Sequence, residues 1–209
     1  MKRILITGAN KGIGLATVAK LLDSYDETLL ILGSRDSKKG QEALNSLVDS
    51  QPEWKDRLDL IEIDVEQDFS VNSAAEEVAK KFGMTPSPLY AIVNNAGIGN
   101  SMLGLNKIFQ VNTYGPKRIC DAFLTLLNPS IGRVVNVTSA SGPMYLAGSS
   151  EKVKKLLTNP DVSWTEIEEF MAECLKLYLE SERTTDWGGA WSAYGISNTG
   201  IVYNSVKRT

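Results

Sequence analysis

Apolar residues in this chain come in two alternating patterns. Short stretches rich in apolar residues fall at 4–7, 28–32, 58–64, 89–93 and 133–137. Their length and their Val, Ile and Leu content predict β-strands buried on both faces. Between them, apolar residues recur every three or four positions. Ile13, Leu15, Ala16, Val18, Ala19 and Leu22 mark a helix over 12–24. Ala43, Leu44, Leu47 and Val48 mark a second, with Ser37 as its N-cap and Pro52 as its stop. Val71, Ala74, Ala75, Val78, Ala79 and Phe82 mark a third, and one long helix is expected over 103–127. Strict strand–helix alternation predicts an α/β fold: a doubly wound parallel sheet with helices on both faces. Without repeats or Gly/Ser linkers, it is expected to form a single domain over 1–209.

The rhythm breaks over about 145–190. Ser163-Trp164-Thr165-Glu166 reads as a capping box. Ile167, Phe170, Met171, Cys174, Leu175 and Tyr178 follow as one apolar stripe. This inserted helix is expected to pack on the body of the domain, with a partner-binding role as the alternative. A last helix is expected over 192–207.

Candidate chemistry begins where the first strand ends. Thr7-Gly8-Ala9-Asn10-Lys11-Gly12-Ile13-Gly14 is a glycine-rich turn between a buried strand and a helix. Glycines let the backbone turn tightly and approach a ligand closely. The amides at the helix start then face a pyrophosphate. The spacing is G-x-x-x-G-x-G, and with its strand and helix it predicts a Rossmann-type dinucleotide site. Cofactor choice is read after the second strand, in Gly33-Ser34-Arg35. An acidic residue there suits the ribose 2′-OH of NAD, and Arg a 2′-phosphate. Arg35 and Lys11 together favour NADP. Asp36 follows at once, and its side chain is expected to point away from that of Arg35.

Two further strand ends join the turn, because ligands of open parallel sheets lie beyond the carboxyl ends of the strands. The fourth ends in Asn94-Asn95-Ala96-Gly97, and the fifth in Asn136-Val137-Thr138-Ser139. Tyr194 opens the last helix. Ser139 and Tyr194 suit a carbonyl substrate, one hydroxyl holding its oxygen and the other donating a proton.

Composition removes several alternatives. The chain has no His, which excludes a His triad and any His-ligated metal. Cys120 and Cys174 lie far apart on apolar helix faces and are expected to be inert. The net charge of −3 gives no nucleic-acid footprint. Lys152, Lys154 and Lys155 read as a solvated helix face. The apolar run behind Met1-Lys2-Arg3 is too short for a signal peptide, and no segment reaches the length of a membrane span. A cytoplasmic protein is expected.

These motifs together resemble the short-chain dehydrogenase/reductase family, and within it the monomeric NADPH-dependent carbonyl reductases. The resemblance rests on the Thr7–Gly14 turn, Asn94–Gly97, Asn112 in Val111-Asn112-Thr113, Ser139 and Tyr194, and spans nearly all of 1–205. It implies that Ser139 orients a carbonyl, Tyr194 is the general acid and Asn112 holds a relay water. It implies that Asp64 and Val65 flank the adenine and Asn95 lies near the adenosine ribose. Gly8, Asn10, Lys11, Gly12, Ile13, Gly14, Arg35, Ala96, Gly97 and Tyr194 complete the NADPH contacts. The insert before Tyr194 implies a monomer, acting on a small carbonyl compound.

The chain departs from that family twice. The family pattern is Tyr-x-x-x-Lys, and Asn198 stands where the Lys belongs. A free tyrosine titrates near ~10, and bringing it to ~7 takes ~4 kcal/mol. A cation about 4 Å away supplies that at an effective dielectric of ~20, and an amide does not. The sequence also ends at Thr209, before the family's next strand. An exposed sheet edge is therefore expected, with self-association as its consequence. Besides a carbonyl reductase, two readings stay open: an NADP-binding protein with impaired catalysis, and a truncated product with little function.

Overall fold

The computed structural model describes residues 1–99 and 103–181. Tyr194, Asn198 and the helix expected over 192–207 lie outside the described residues. Two compact units are formed. One comprises Met1–Ala96 and Gly115–Val137, the other Gly97–Tyr114 and the described residues from Thr138 onward.

The first unit is a Rossmann-type α/β sheet. Its strands are β1 (Lys2–Thr7), β2 (Thr28–Ser34), β3 (Leu58–Glu62), β4 (Ala91–Asn94) and β5 (Arg133–Asn136). All pair in parallel, in the order β3-β2-β1-β4-β5. That order reverses at β1, so the ends of β1 and β4 form the switch point where such sheets bind ligands. The inner strands are buried on both faces, as their continuous apolar runs require. Ile4, Ile6, Leu30, Leu32 and Val93 join Val18 and Leu22 of α1 (Gly12–Ser24) and Leu47 of α2 (Ser37–Ser50) in one core. Leu5, Ile31 and Ile92 are as fully buried. Among the described residues β5 is an end strand, paired with β4, and Val135 and Val137 are exposed.

Several boundaries differ from the sequence expectation. The N-cap of α2 is Asp36, whose carboxylate accepts the Lys39 amide at 3.0 Å. Ser37 is already helical and its hydroxyl instead meets Glu62. Pro52 begins a 3₁₀ turn (Pro52–Arg57) after the helix has ended, a position that loses no hydrogen bond. The third helix, α3 (Asp68–Phe82), starts a turn before Val71. Most informative is the expected long helix over 103–127. It divides into α4 (Gly104–Asn112), α5 (Tyr114–Phe123) and a 3₁₀ turn (Leu124–Leu126). Pro116 has no N–H to return to the carbonyl of Asn112, four residues back. Thr113 takes φ −112° and ψ −56°, away from ideal helix.

The second unit is helical. The insert begins at α6 (Ser141–Gly148), passes through α7 (Glu151–Leu157) and ends in α8 (Trp164–Ser181). The capping box forms as expected: the Glu166 amide donates to Ser163 Oγ at 3.2 Å, and the Ser163 amide donates to Glu166 Oε2 at 2.7 Å. The α8 stripe packs against α4, with Ile167, Phe170, Met171 and Cys174 buried around Leu105, Ile108 and Phe109. Tyr114 meets Trp164 edge-on, with ring centroids 5.4 Å apart. The insert thus buries its apolar side within its own unit.

Cys174 is 4% exposed. Burial, and then the Glu173 carboxylate, push its thiol from 9.0 up to about 12. The folded chain keeps a proton that the unfolded chain releases above pH 9. That stabilisation is complete below pH 9 and is lost as pH rises toward 12. Denaturation midpoints measured from pH 8 to 11 should fall more steeply in wild type than in Cys174→Ala. Iodoacetamide at pH 8 should leave Cys174 unlabelled.

Candidate active site

The glycine turn is built where β1 runs into α1. Gly8 and Gly12 hold φ of +64° and +56°, the left-handed region that glycine enters without strain. Lys11 is the N-cap of α1 in extended conformation. Its side chain and Ile13 are exposed at the mouth of the turn. The turn is held from below. Ala9 N donates to Gly33 O at 2.9 Å, tying it to the end of β2. Asn95 Nδ2 donates to the carbonyls of Thr7 at 2.9 Å and Gly8 at 3.2 Å. A Cβ on Gly14 would lie 2.5 Å from Asn95 Nδ2 and 2.6 Å from Gly8 O, and one on Gly8 would lie 2.9 Å from Ala96 Cα. These glycines are required by packing as well as by dihedral angle.

Thr7 is a residue that the sequence reasoning missed. It is buried at the last position of β1. Its Oγ1 accepts the amides of Asn95 at 3.1 Å and Ala96 at 3.0 Å and donates to Val93 O at 3.4 Å. One hydroxyl therefore joins the ends of β1 and β4. A polar residue directly after the apolar run Ile4-Leu5-Ile6 was the available signal. Asn94 plays a related part, its Nδ2 donating to Asn136 Oδ1 at 2.7 Å between β4 and β5.

The register Thr7↔Gly33 sets the residues after β2 beside the glycine turn. Arg35 is exposed there. Asp36 is committed elsewhere: besides capping α2, its carboxylate lies 3.4 Å from Lys39 Nζ. The Lys39 amide, foremost, holds that carboxyl below its usual range. The acid is thus used by its own helix, and Arg35 is the charged residue presented at the end of β2. Asp64, after β3, closes a local turn, its Oδ1 accepting the Glu66 amide at 3.1 Å. Val65 beside it is buried.

The second unit carries the residues expected to handle substrate. Ser139 precedes α6, and its Oγ accepts the Ser141 amide at 3.3 Å and lies 2.8 Å from Ser141 Oγ. A hydroxyl oxygen that accepts keeps its own proton for donation. Asn112 is buried at the end of α4, and its amide clamps the segment after Gly97. Its Oδ1 accepts Ile98 N at 2.9 Å, and its Nδ2 donates to Ile98 O at 2.8 Å. Its side chain thus orders the backbone beside Gly97.

The family profile described as short chain dehydrogenase matches residues 2–151. The chain belongs to the short-chain dehydrogenase family. It is 28% identical to (+)-neomenthol dehydrogenase of Arabidopsis thaliana over 225 residues, covering 94% of this chain and 74% of that protein. It is also 28% identical to carbonyl reductase (NADPH) 3 of Rattus norvegicus over 209 residues, covering 95% and 70%. Among solved structures, menthone neomenthol reductase from Mentha piperita superposes with a TM-score of 0.83 at 25% identity, covering 98% of this chain and 84% of that one. As a short-chain dehydrogenase close to the carbonyl reductases, this chain is an oxidoreductase of the CH–OH/C=O class. No helix among the described residues is long and apolar enough to cross a membrane.

Proposed function

We propose that this short-chain dehydrogenase is an NADPH-dependent carbonyl reductase acting on a ketone, aldehyde or quinone. The observation that carries NADPH is the charge pattern around the glycine turn. Lys11 and Arg35 are exposed at adjoining strand–helix turns, while Asp36 is held by its own helix. The residues fit a dinucleotide, because Gly8 and Gly14 let the turn pack directly on Ala96 and Asn95, while at Gly12 nothing lies within 4 Å of a Cβ position and the mouth of the turn stays open. Gly8, Asn10, Gly12, Ile13 and Gly14 would hold the pyrophosphate, and Asp64 and Val65 the adenine. Asn95 acts through the turn that it pins. NADPH would supply the hydride.

Around the carbonyl, Ser139 donates a hydrogen bond to the oxygen and Tyr194 delivers the proton. Asn112 fixes the backbone beside Gly97 and supports the proton relay. The protein acts as a cytoplasmic monomer. The burial of the α8 stripe within its own unit supports that reading, and self-association through β5 is its alternative. The second reading of the activity, an NADP-binding protein with weak turnover, is favoured by Asn198.

Calorimetry with NADPH and NADH tests the cofactor. NADPH should bind at least tenfold more tightly than NADH. Arg35→Ala should weaken NADPH about tenfold to a hundredfold, the size of one charge-assisted hydrogen bond, and leave NADH unchanged. Equal affinity for the two cofactors in wild type would reverse the assignment.

A further inference from the structure

The loop after β3 is gripped from α5 by two residues with no part in the readings above. At the start of α5, Gly115 lies against Val65, where a Cβ would come within 3.0 Å of Val65 Cγ2 and 3.2 Å of Val65 Cβ. One turn later Arg118 reaches the same loop. Its Nε donates to Asp68 Oδ1 at 2.9 Å and its Nη1 to Val65 O at 3.3 Å. The Arg118 side chain is 17% exposed and that of Asp68 79%. The guanidinium therefore sits under the loop, with the carboxylate on its outer side.

Between these two anchors the loop closes on itself. Asp64 N donates to Ser70 Oγ at 2.9 Å, and Gln67 N donates to Asp64 O at 3.0 Å. The internal bonds set the shape of the loop. Gly115 and Arg118 set its place against α5.

We propose that Arg118 is a positioning residue for the adenine end of the dinucleotide, holding the Asp64–Val65 wall in its binding geometry before the nucleotide arrives. This rests on the reading that Asp64 and Val65 flank the adenine. The guanidinium suits the task because its planar fork addresses the Val65 carbonyl and the Asp68 carboxylate together. Lys offers a single flexible point charge. A wall ordered in advance removes an ordering cost from binding. The consequence is selective for the base. Adenine carries a 6-amino donor that suits the Asp64 carboxylate, whereas hypoxanthine carries a 6-carbonyl acceptor that does not. Holding Asp64 in place therefore favours adenine over hypoxanthine.

The test is fluorescence titration of the full chain with NADPH and with reduced nicotinamide hypoxanthine dinucleotide phosphate. Wild type should prefer NADPH. In Arg118→Gln that preference should shrink about tenfold, the scale of one hydrogen bond, through weaker NADPH binding alone. Arg118→Lys should restore part of it. Asp68→Asn, at an exposed position, should reduce the preference about threefold with the melting temperature unchanged, and it decides the matter if Arg118→Gln does not fold. Equal weakening of both nucleotides, or an unchanged preference in Asp68→Asn, would overturn the role of Arg118 alone. Failure of wild type to bind either nucleotide would overturn the NADPH reading and this inference with it.

Discussion

Asn198→Lys is expected to raise NADP-dependent alcohol oxidation at pH 7 by about two to three orders of magnitude. In the oxidative direction Tyr194 must take a proton, so the rate follows its ionised fraction. A tyrosine titrating near ~10 is about one part in a thousand ionised at pH 7, and one titrating near ~7 is about half ionised. On the helix expected over 192–207, residues 194 and 198 share a face. On such a helix a lysine at 198 would lie one turn from the phenol, and one charge about 4 Å away is worth the ~4 kcal/mol required at an effective dielectric of ~20. The pH profile carries the prediction. Wild-type oxidation should climb about tenfold per pH unit through pH 9, and Asn198→Lys should level off near pH 7. Tyr194→Phe in the Asn198→Lys background should remove the gain. A wild-type profile already level at pH 7 would show that the tyrosine is activated without a cation at 198.

Gly14→Ala should be the most damaging of the small substitutions in the glycine turn. Helix propensity alone favours alanine by ~1 kcal/mol. Packing opposes it more strongly, because the new Cβ meets Asn95 Nδ2 at 2.5 Å, Gly8 O at 2.6 Å and Ala9 Cα at 3.0 Å. Two of these are backbone atoms and cannot move aside. The third is the amide that holds the carbonyls of Thr7 and Gly8. Overpacking of about 1–3 kcal/mol adds to about 1 kcal/mol for each displaced hydrogen bond. A net loss of about 3 kcal/mol lowers the melting temperature by about 10 °C in a chain of this size. NADPH affinity should fall at least a hundredfold, because the turn that would receive the pyrophosphate opens. Gly12→Ala is the control. Gly12 has φ +56° with nothing within 4 Å of its added Cβ, so it should lose only the ~1–2 kcal/mol of left-handed strain. Equal melting temperatures for the two variants would refute the packing argument.

The contrast between these two glycines separates what was legible in the chain from what was not. Gly8, Gly12 and Gly14 stand out in the sequence as one motif, yet they do different work. Gly8 and Gly12 turn the backbone. Gly14 makes room for Asn95, eighty-one positions away. Local spacing reports a turn, but it does not report which distant side chain fills it. The same division runs through the cofactor residues. Arg35 and Asp36 are adjacent and opposite in charge, so sequence alone leaves their competition open. The cap on α2 resolves it by engaging Asp36 with the Lys39 amide. Asp64 and Val65 were expected beside the adenine, while the Arg118 contact that holds their loop spans 53 positions and leaves no periodic trace.

The sequence by itself determined the α/β alternation, the glycine turn, the family, and the departure at residue 198. Each is written in residues close along the chain: apolar runs, three- and four-residue spacing, and short motifs. Only the tertiary structure decided that Pro116 and Thr113 divide the expected long helix, that the α8 stripe packs on α4, and that Thr7 and Asn95 lock the turn to β4. Those outcomes depend on which buried donors and acceptors meet. Burial drives most backbone and side-chain polar groups to find a partner, and that partner is set by where the strands end in space, not by separation along the chain.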